Sequence, residues 1–136
     1  MEYEPLVVGR PSRFAAHLTT MSDFKAVTAG LLVLTLTLPG GETQVVRADG
    51  PANPGTLRFN LSPNSAGACT MSLAYEGQGI TDTIAAGQCT IYADQAAARA
   101  DQPKEGEGGV AYTKELQWKT DFANYEVTER SLQPSV

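Results

Sequence analysis

Leu31-Leu32-Val33-Leu34-Thr35-Leu36-Thr37-Leu38 decides the fold. A period of two places Leu32, Leu34, Leu36 and Leu38 on one face of a strand. Leu31, Val33, Thr35 and Thr37 fall on the other. The run is too short, and too interrupted by threonine, to cross a bilayer as a helix, which needs about 18 apolar residues. Pro39-Gly40-Gly41 follows as a turn, because glycine supplies positive φ and proline ends the ladder. Glu42 to Arg47 then returns as the partner strand.

The same alternation extends in both directions. Upstream, Leu6 to Val8 reads as a first strand ended by Gly9 and Pro11. Ser12 to Thr20 follows, with Phe14, Ala16 and Leu18 on one face and Arg13, Ala15 and His17 on the other. Met21 to Val27 reads as a turn or a single helical turn that Ser22 or Asp23 caps. Downstream, Thr56 to Leu61 turns Leu57, Phe59 and Leu61 inward. Ala68 to Tyr75 does the same with Cys69, Met71, Leu73 and Tyr75. Gly77-Gln78-Gly79 is a hairpin turn. Ile80 to Ile84 and Gln88 to Ala93 complete the set as two short strands, with Cys89 and Ile91 inward. About seven short strands with turns every 8–12 residues predict an all-β fold, an immunoglobulin-like antiparallel β-sandwich with a C-terminal extension.

Residues 1–94 form the expected sandwich domain. Residues 95–109 change to small and charged residues and read as a linker, with Ala-rich Gln95 to Asp101 fitting a helical turn or two and Glu105-Gly106-Glu107-Gly108-Gly109 flexible in composition. Residues 110–136 hold the only tryptophan and two of the five tyrosines. They read as the start of a truncated next module or as an extended tail. Trp118, Phe122 and Tyr125 fall at i, i+4 and i+7 and are candidates for a contact between modules.

With 136 residues and a net charge of −5, the chain fits one domain and an appendage. Its basic residues are scattered, so it lacks the clustered positive footprint that phosphate backbones require, and no nucleic-acid partner is expected. No segment is expected to span a membrane. Met1-Glu2-Tyr3-Glu4 lacks the basic start and apolar centre of a signal peptide.

Little in the chain suggests catalysis. The single histidine, His17, has Ser12 and Asp23 nearby in sequence, but they do not make a triad pattern, and there is no Gly-x-Ser-x-Gly elbow. No closely spaced cysteine pair marks a zinc site, and Cys69, Met71 and Cys89 occupy core-facing positions. Gly40-Gly41 and Gly77-Gln78-Gly79 do not lead into a phosphate-binding helix. The expectation is a non-enzyme without cofactor or metal. Cys69 and Cys89 lie on strands that pair if the turn is centred near Gln78 or Gly79. They are candidates for a disulfide, or else two buried thiols acting as small hydrophobes.

Several stretches, taken in order, carry a family resemblance. They are Pro5-Leu6-Val7-Val8-Gly9, Arg13-Phe14-Ala15-Ala16-His17-Leu18-Thr19, Asp23-Phe24-Lys25-Ala26-Val27-Thr28-Ala29-Gly30, Pro54-Gly55-Thr56-Leu57-Arg58-Phe59, Thr90-Ile91-Tyr92-Ala93-Asp94 and, above all, Tyr112-Thr113-Lys114-Glu115-Leu116-Gln117-Trp118-Lys119-Thr120-Asp121-Phe122-Ala123. The chain resembles the N-terminal part of the periplasmic adaptor subunit, or membrane fusion protein, of resistance–nodulation–division efflux pumps, in the heavy-metal or a related branch. The resemblance covers nearly the whole chain. It implies an extra β-sandwich at the adaptor's N-terminus and a periplasmic location. It also implies that the segment around Trp118 leads into barrel and lipoyl-like modules. The implied partners are those modules, the inner-membrane transporter and the outer-membrane channel. The implied role is assembly and export of metal ions or small toxic compounds. Copper- and silver-handling members carry methionine clusters, and the three methionines here form none. The competing expectation is a free-standing adhesion or carbohydrate-binding sandwich of a surface protein.

Overall fold

The computed structural model describes residues 1–38, 40–101 and 118–119. Eight strands run in chain order: β1 (Glu2–Tyr3), β2 (Leu6–Val7), β3 (Ser12–His17), β4 (Leu31–Thr37), β5 (Thr43–Ala48), β6 (Thr56–Leu61), β7 (Gly67–Gly77) and β8 (Ile80–Tyr92). They are followed by a short helix α1 (Gln95–Ala100). One sheet has the order β1-β3-β6 and the other β2-β8-β7-β4-β5. The fold is an all-β sandwich of immunoglobulin-like strand order. Of the six long strands, the first and fourth, β3 and β6, pair in one layer, and β8-β7-β4-β5 form the other.

The first strand is divided between the layers. β1 pairs antiparallel with β3, whereas β2 pairs parallel with β8 through Leu6↔Ile91 and Val7↔Tyr92. The crossing falls at Glu4 and Pro5. The buried Ser12 hydroxyl donates to the Pro5 carbonyl at 2.9 Å, which satisfies a backbone acceptor that the sheet change would otherwise leave unpaired.

The leucine run does what its period dictates. Leu32, Leu34, Leu36 and Leu38 are buried and meet Phe14, Ala16, Leu57, Phe59 and Leu61 from the facing layer. Tyr75 closes one end of this core. Its hydroxyl donates to the Ala29 carbonyl at 2.7 Å. Gly30 lies beneath the ring at φ +123, where a Cβ would press on Tyr75 and on the Glu76 carbonyl.

Two stretches expected as separate strands, Ile80–Ile84 and Gln88–Ala93, are one continuous strand, β8. The reason is a β-bulge. From Gly77↔Ile80 to Ser72↔Ala85 the ribbon keeps one register, and from Met71↔Gly87 onward the register is shifted by one, leaving Ala86 as the extra residue. Gly87 takes φ +100 there. The turn itself is Gln78-Gly79 with φ of 53° and 76°, the left-handed pair that suits a two-residue hairpin. Glycine in a strand marked a break in the sequence, whereas the chain uses it as a bulge.

Residues 95–101 open the segment read as a linker. Gln95–Ala100 form α1, N-capped by Asp94, whose carboxylate accepts from the Ala97 amide at 2.8 Å, and C-capped by Asp101. The helix packs against β2 and β8 and seats Ala98 at 0% exposure, so this part of the segment is built onto the sandwich.

Candidate functional site

The clearest concavity is an open cleft of about 800 Å³ at the end of the sandwich where β2, β7, β8 and α1 meet. Its rim includes Tyr3, Thr37, Thr70, Gln88, Tyr92 and Asp101. Each is set by its element. Tyr3 is held by stacking on Phe14, with ring centroids 5.1 Å apart. Thr70 and Gln88 are outward residues at paired positions of β7 and β8. Tyr92 ends β8, and its hydroxyl donates to Asp101 at the C-terminus of α1, 2.5 Å away. That bond, with the Asp101 charge behind it, holds the Tyr92 hydroxyl neutral above the ordinary tyrosine range. The cleft thus offers aromatic faces, hydroxyls and one amide, which is chemistry for reversible contact.

Beside this cleft, Cys69 and Cys89 face each other across β7 and β8 and are joined by a disulfide, with Cα atoms 4.8 Å apart. The bulge makes this possible. Were Ala86 paired in the ladder instead of bulged, the unshifted register would set Cys69 opposite Gln88 and turn Cys89 to the outer face. The bridge links neighbours within one sheet, unlike the inter-sheet bridge of antibody domains.

A second site lies at the opposite end of β3. Trp118 donates from Nε1 to the Thr19 hydroxyl at 2.8 Å, and its ring centroid lies 6.3 Å from that of His17. Gly55 makes room for the indole, since a Cβ there would overlap the ring. Gly55 is fixed in turn by its amide on the Val27 carbonyl (2.6 Å) and by the Leu18 amide on its own carbonyl (2.8 Å). Thus a residue almost a hundred positions away is seated on the sandwich. Phe122 and Tyr125, the other candidates for a contact between modules, lie outside the described residues.

His17 is largely covered and has Glu2 Oε1 at 3.8 Å. Its sequence neighbours serve other ends. The Ser12 hydroxyl is committed to Pro5, and Asp23 accepts from the Thr20 hydroxyl and the Lys25 amide. Those bonds lower the Asp23 pKa, that of Thr20 most. Among the described residues, no group of three or more His, Cys, Asp or Glu side chains gathers as a metal site, and no helix is long and apolar enough to cross a membrane.

The sequence foresaw neither the cleft nor the indole seat. The first depends on Tyr3 and Asp101 meeting Tyr92 from distant positions. The second depends on Gly55 being bare beneath Trp118. The one local signal was Asp94 before an alanine run, which marks the helix that carries Asp101. No family model, curated protein or solved structure matches the chain.

Proposed function

We propose that this chain is a non-catalytic contact domain at the N-terminus of a periplasmic efflux adaptor of the resistance–nodulation–division type. In this reading the domain helps the adaptor bridge the inner-membrane transporter and the outer-membrane channel during export of metal ions or small toxic compounds. The observation that carries the reading is the seat of Trp118 on Thr19 and Gly55. Trp118 belongs to the stretch that most strongly carries the resemblance, and Thr19 and Gly55 each lie in another stretch that carries it. Anchoring the indole ties the stretch around Trp118 to the sandwich, which suits a domain that spaces and orients its neighbours. The Cys69–Cys89 bridge supports an oxidising compartment such as the periplasm.

The test is an adaptor with and without residues 1–94, expressed from the complete reading frame beside its transporter and channel. The deletion is expected to reduce co-purification of transporter with channel and to lower growth in the presence of the exported toxicant. A Gly55→Ala adaptor should show a weaker form of the same defect. Unchanged assembly and export in both would contradict the proposal.

The open cleft with Tyr3, Tyr92 and Gln88 at its rim favours a second reading, a carbohydrate-binding or adhesion sandwich. Glycan-array binding that disappears in Tyr92→Ala, together with unchanged pump assembly, would select it.

A further inference from the structure

Among the described residues, the ribbon of β7 and β8 leaves one backbone edge open. β2 covers β8 only at Ile91 and Tyr92, so among the described residues nothing pairs with the outer edge of Ile80–Ala85. The two-residue turn fixes which groups point outward. Gly77 and Ile80 flank the turn as a hydrogen-bonded pair, so Ile80, Asp82 and Ile84 direct their amides and carbonyls to β7. Thr81, Thr83 and Ala85 direct theirs away from it. The Thr83 amide agrees with this phase, because it donates to its neighbour's carboxylate, Asp82 Oδ1, at 2.7 Å. Ile80 and Ile84 are 39% and 41% exposed along this stretch. The edge at the other end of the same sheet is guarded differently. There Gln44 of β5 donates to the Ser62 carbonyl and accepts from the Asn64 amide, tying β5 to the chain beyond β6.

We infer that the free edge of β8 is a self-association surface, on which a second copy of this chain pairs antiparallel about Thr83, and that Asp82 limits its strength. Self-complementarity selects this occupant and this register. With Thr83 on the two-fold axis, Thr83 exchanges both backbone bonds with its own copy, and Thr81 does so with the copy's Ala85. The whole straight stretch before the bulge is used, and Asp82 meets Ile84 of the other copy. An axis through Asp82 would set two carboxylates face to face, and an axis through Ile84 would run the pairing into the bulge at Ala86. Asp82 opposes even the favoured register in two ways. Its carboxylate occupies the Thr83 amide that pairing requires. It also lies diagonal to its own copy at roughly 7–8 Å, within reach of repulsion at physiological salt. A charged residue that blunts an open edge is a common protection against such pairing.

The experiment is sedimentation equilibrium of the full oxidised chain up to about millimolar concentration, in low and high salt. The unsubstituted chain should self-associate weakly and more strongly as salt rises. Asp82→Ala, which removes the charge and the acceptor without adding apolar bulk, should tighten the dimer by about tenfold. Thr83→Lys, which sets a charge against itself on the axis, should abolish the dimer in either background. Thr83→Pro, which removes the outward amide, should do the same. Thermal unfolding of each variant verifies that it is folded. This inference does not rest on the adaptor reading. It is overturned if Asp82→Ala is no more associated than the parent chain. A dimer that survives Thr83→Lys would overturn it equally.

Discussion

The two halves of the β7–β8 ribbon share one hairpin but are built to different ends. From Gly67 to Met71, with Gly87 to Tyr92 opposite, the ribbon is closed. The disulfide joins its strands, β2 pairs with its outer edge at Ile91 and Tyr92, and α1 packs against β8. From Ser72 to Gly77, with Ile80 to Ala85 opposite, one strand belongs to the core and the other stands at the border. Leu73 and Ile84 are register partners, yet Leu73 is 5% exposed and Ile84 41%. Pairing alone therefore does not confer burial. On β7 the inward residues Cys69, Met71, Leu73 and Tyr75 are all buried, whereas on β8 only Cys89 and Ile91, beyond the bulge, are.

The comparison is best broken at that register pair. Leu73→Ala should cost roughly 2–5 kcal/mol in urea unfolding, since it removes a buried side chain from a packed interior. Next comes the closed half. Replacing both Cys69 and Cys89 with alanine releases a cross-link spanning 20 positions and should cost about 3 kcal/mol, with reductant acting similarly on the parent chain. A smaller effect is expected at Tyr75, which ties the open half to the Ala29 carbonyl. Tyr75→Phe should cost about 1 kcal/mol.

Tyr75 also predicts a pH response. Burial raises its pKa above the ordinary 10.0, so folding favours the neutral phenol. The contribution is fully present below about pH 10 and is lost as pH climbs through the raised value. Chemical denaturation across the alkaline range should show the parent chain losing stability more steeply than Tyr75→Phe. Tyr92, whose pKa is raised by its bond to Asp101, contributes to the slope left in that variant. The smallest change is expected at the open half. Ile84→Ala should shift stability by less than about 1 kcal/mol, because its side chain is already partly in water.

Much of the sandwich was legible because its inner strands obey a strict period. Leu32 to Leu38 and Cys69 to Tyr75 carry one apolar residue at every second position, and a half-buried sheet leaves that trace. The turns at Gly40-Gly41 and Gln78-Gly79 were legible through glycine. The continuity of β8 was hidden because Ala85-Ala86-Gly87 lacks the β-branched residues of a strand, and only the register across it reveals a bulge. The parallel pairing of Leu6 and Val7 with β8 was hidden for another reason, since a two-residue strand has no period to read. At the candidate sites, the pairing of the strands that carry Cys69 and Cys89 was approachable by counting from the turn, but their facing positions depend on the bulge. The Trp118 seat was not, because the glycine that admits the indole looks like any other turn glycine.

Native-state amide hydrogen exchange, read residue by residue by NMR on the oxidised chain at low concentration, tests the difference between the two halves most directly. The account predicts strong protection at Cys69, Cys89 and Ile91, and alternating protection along the open half, with Asp82 and Ile84 slow and Thr81, Thr83 and Ala85 fast. Uniformly slow exchange from Ile80 to Ala85 in the monomer would show a covered edge and contradict it.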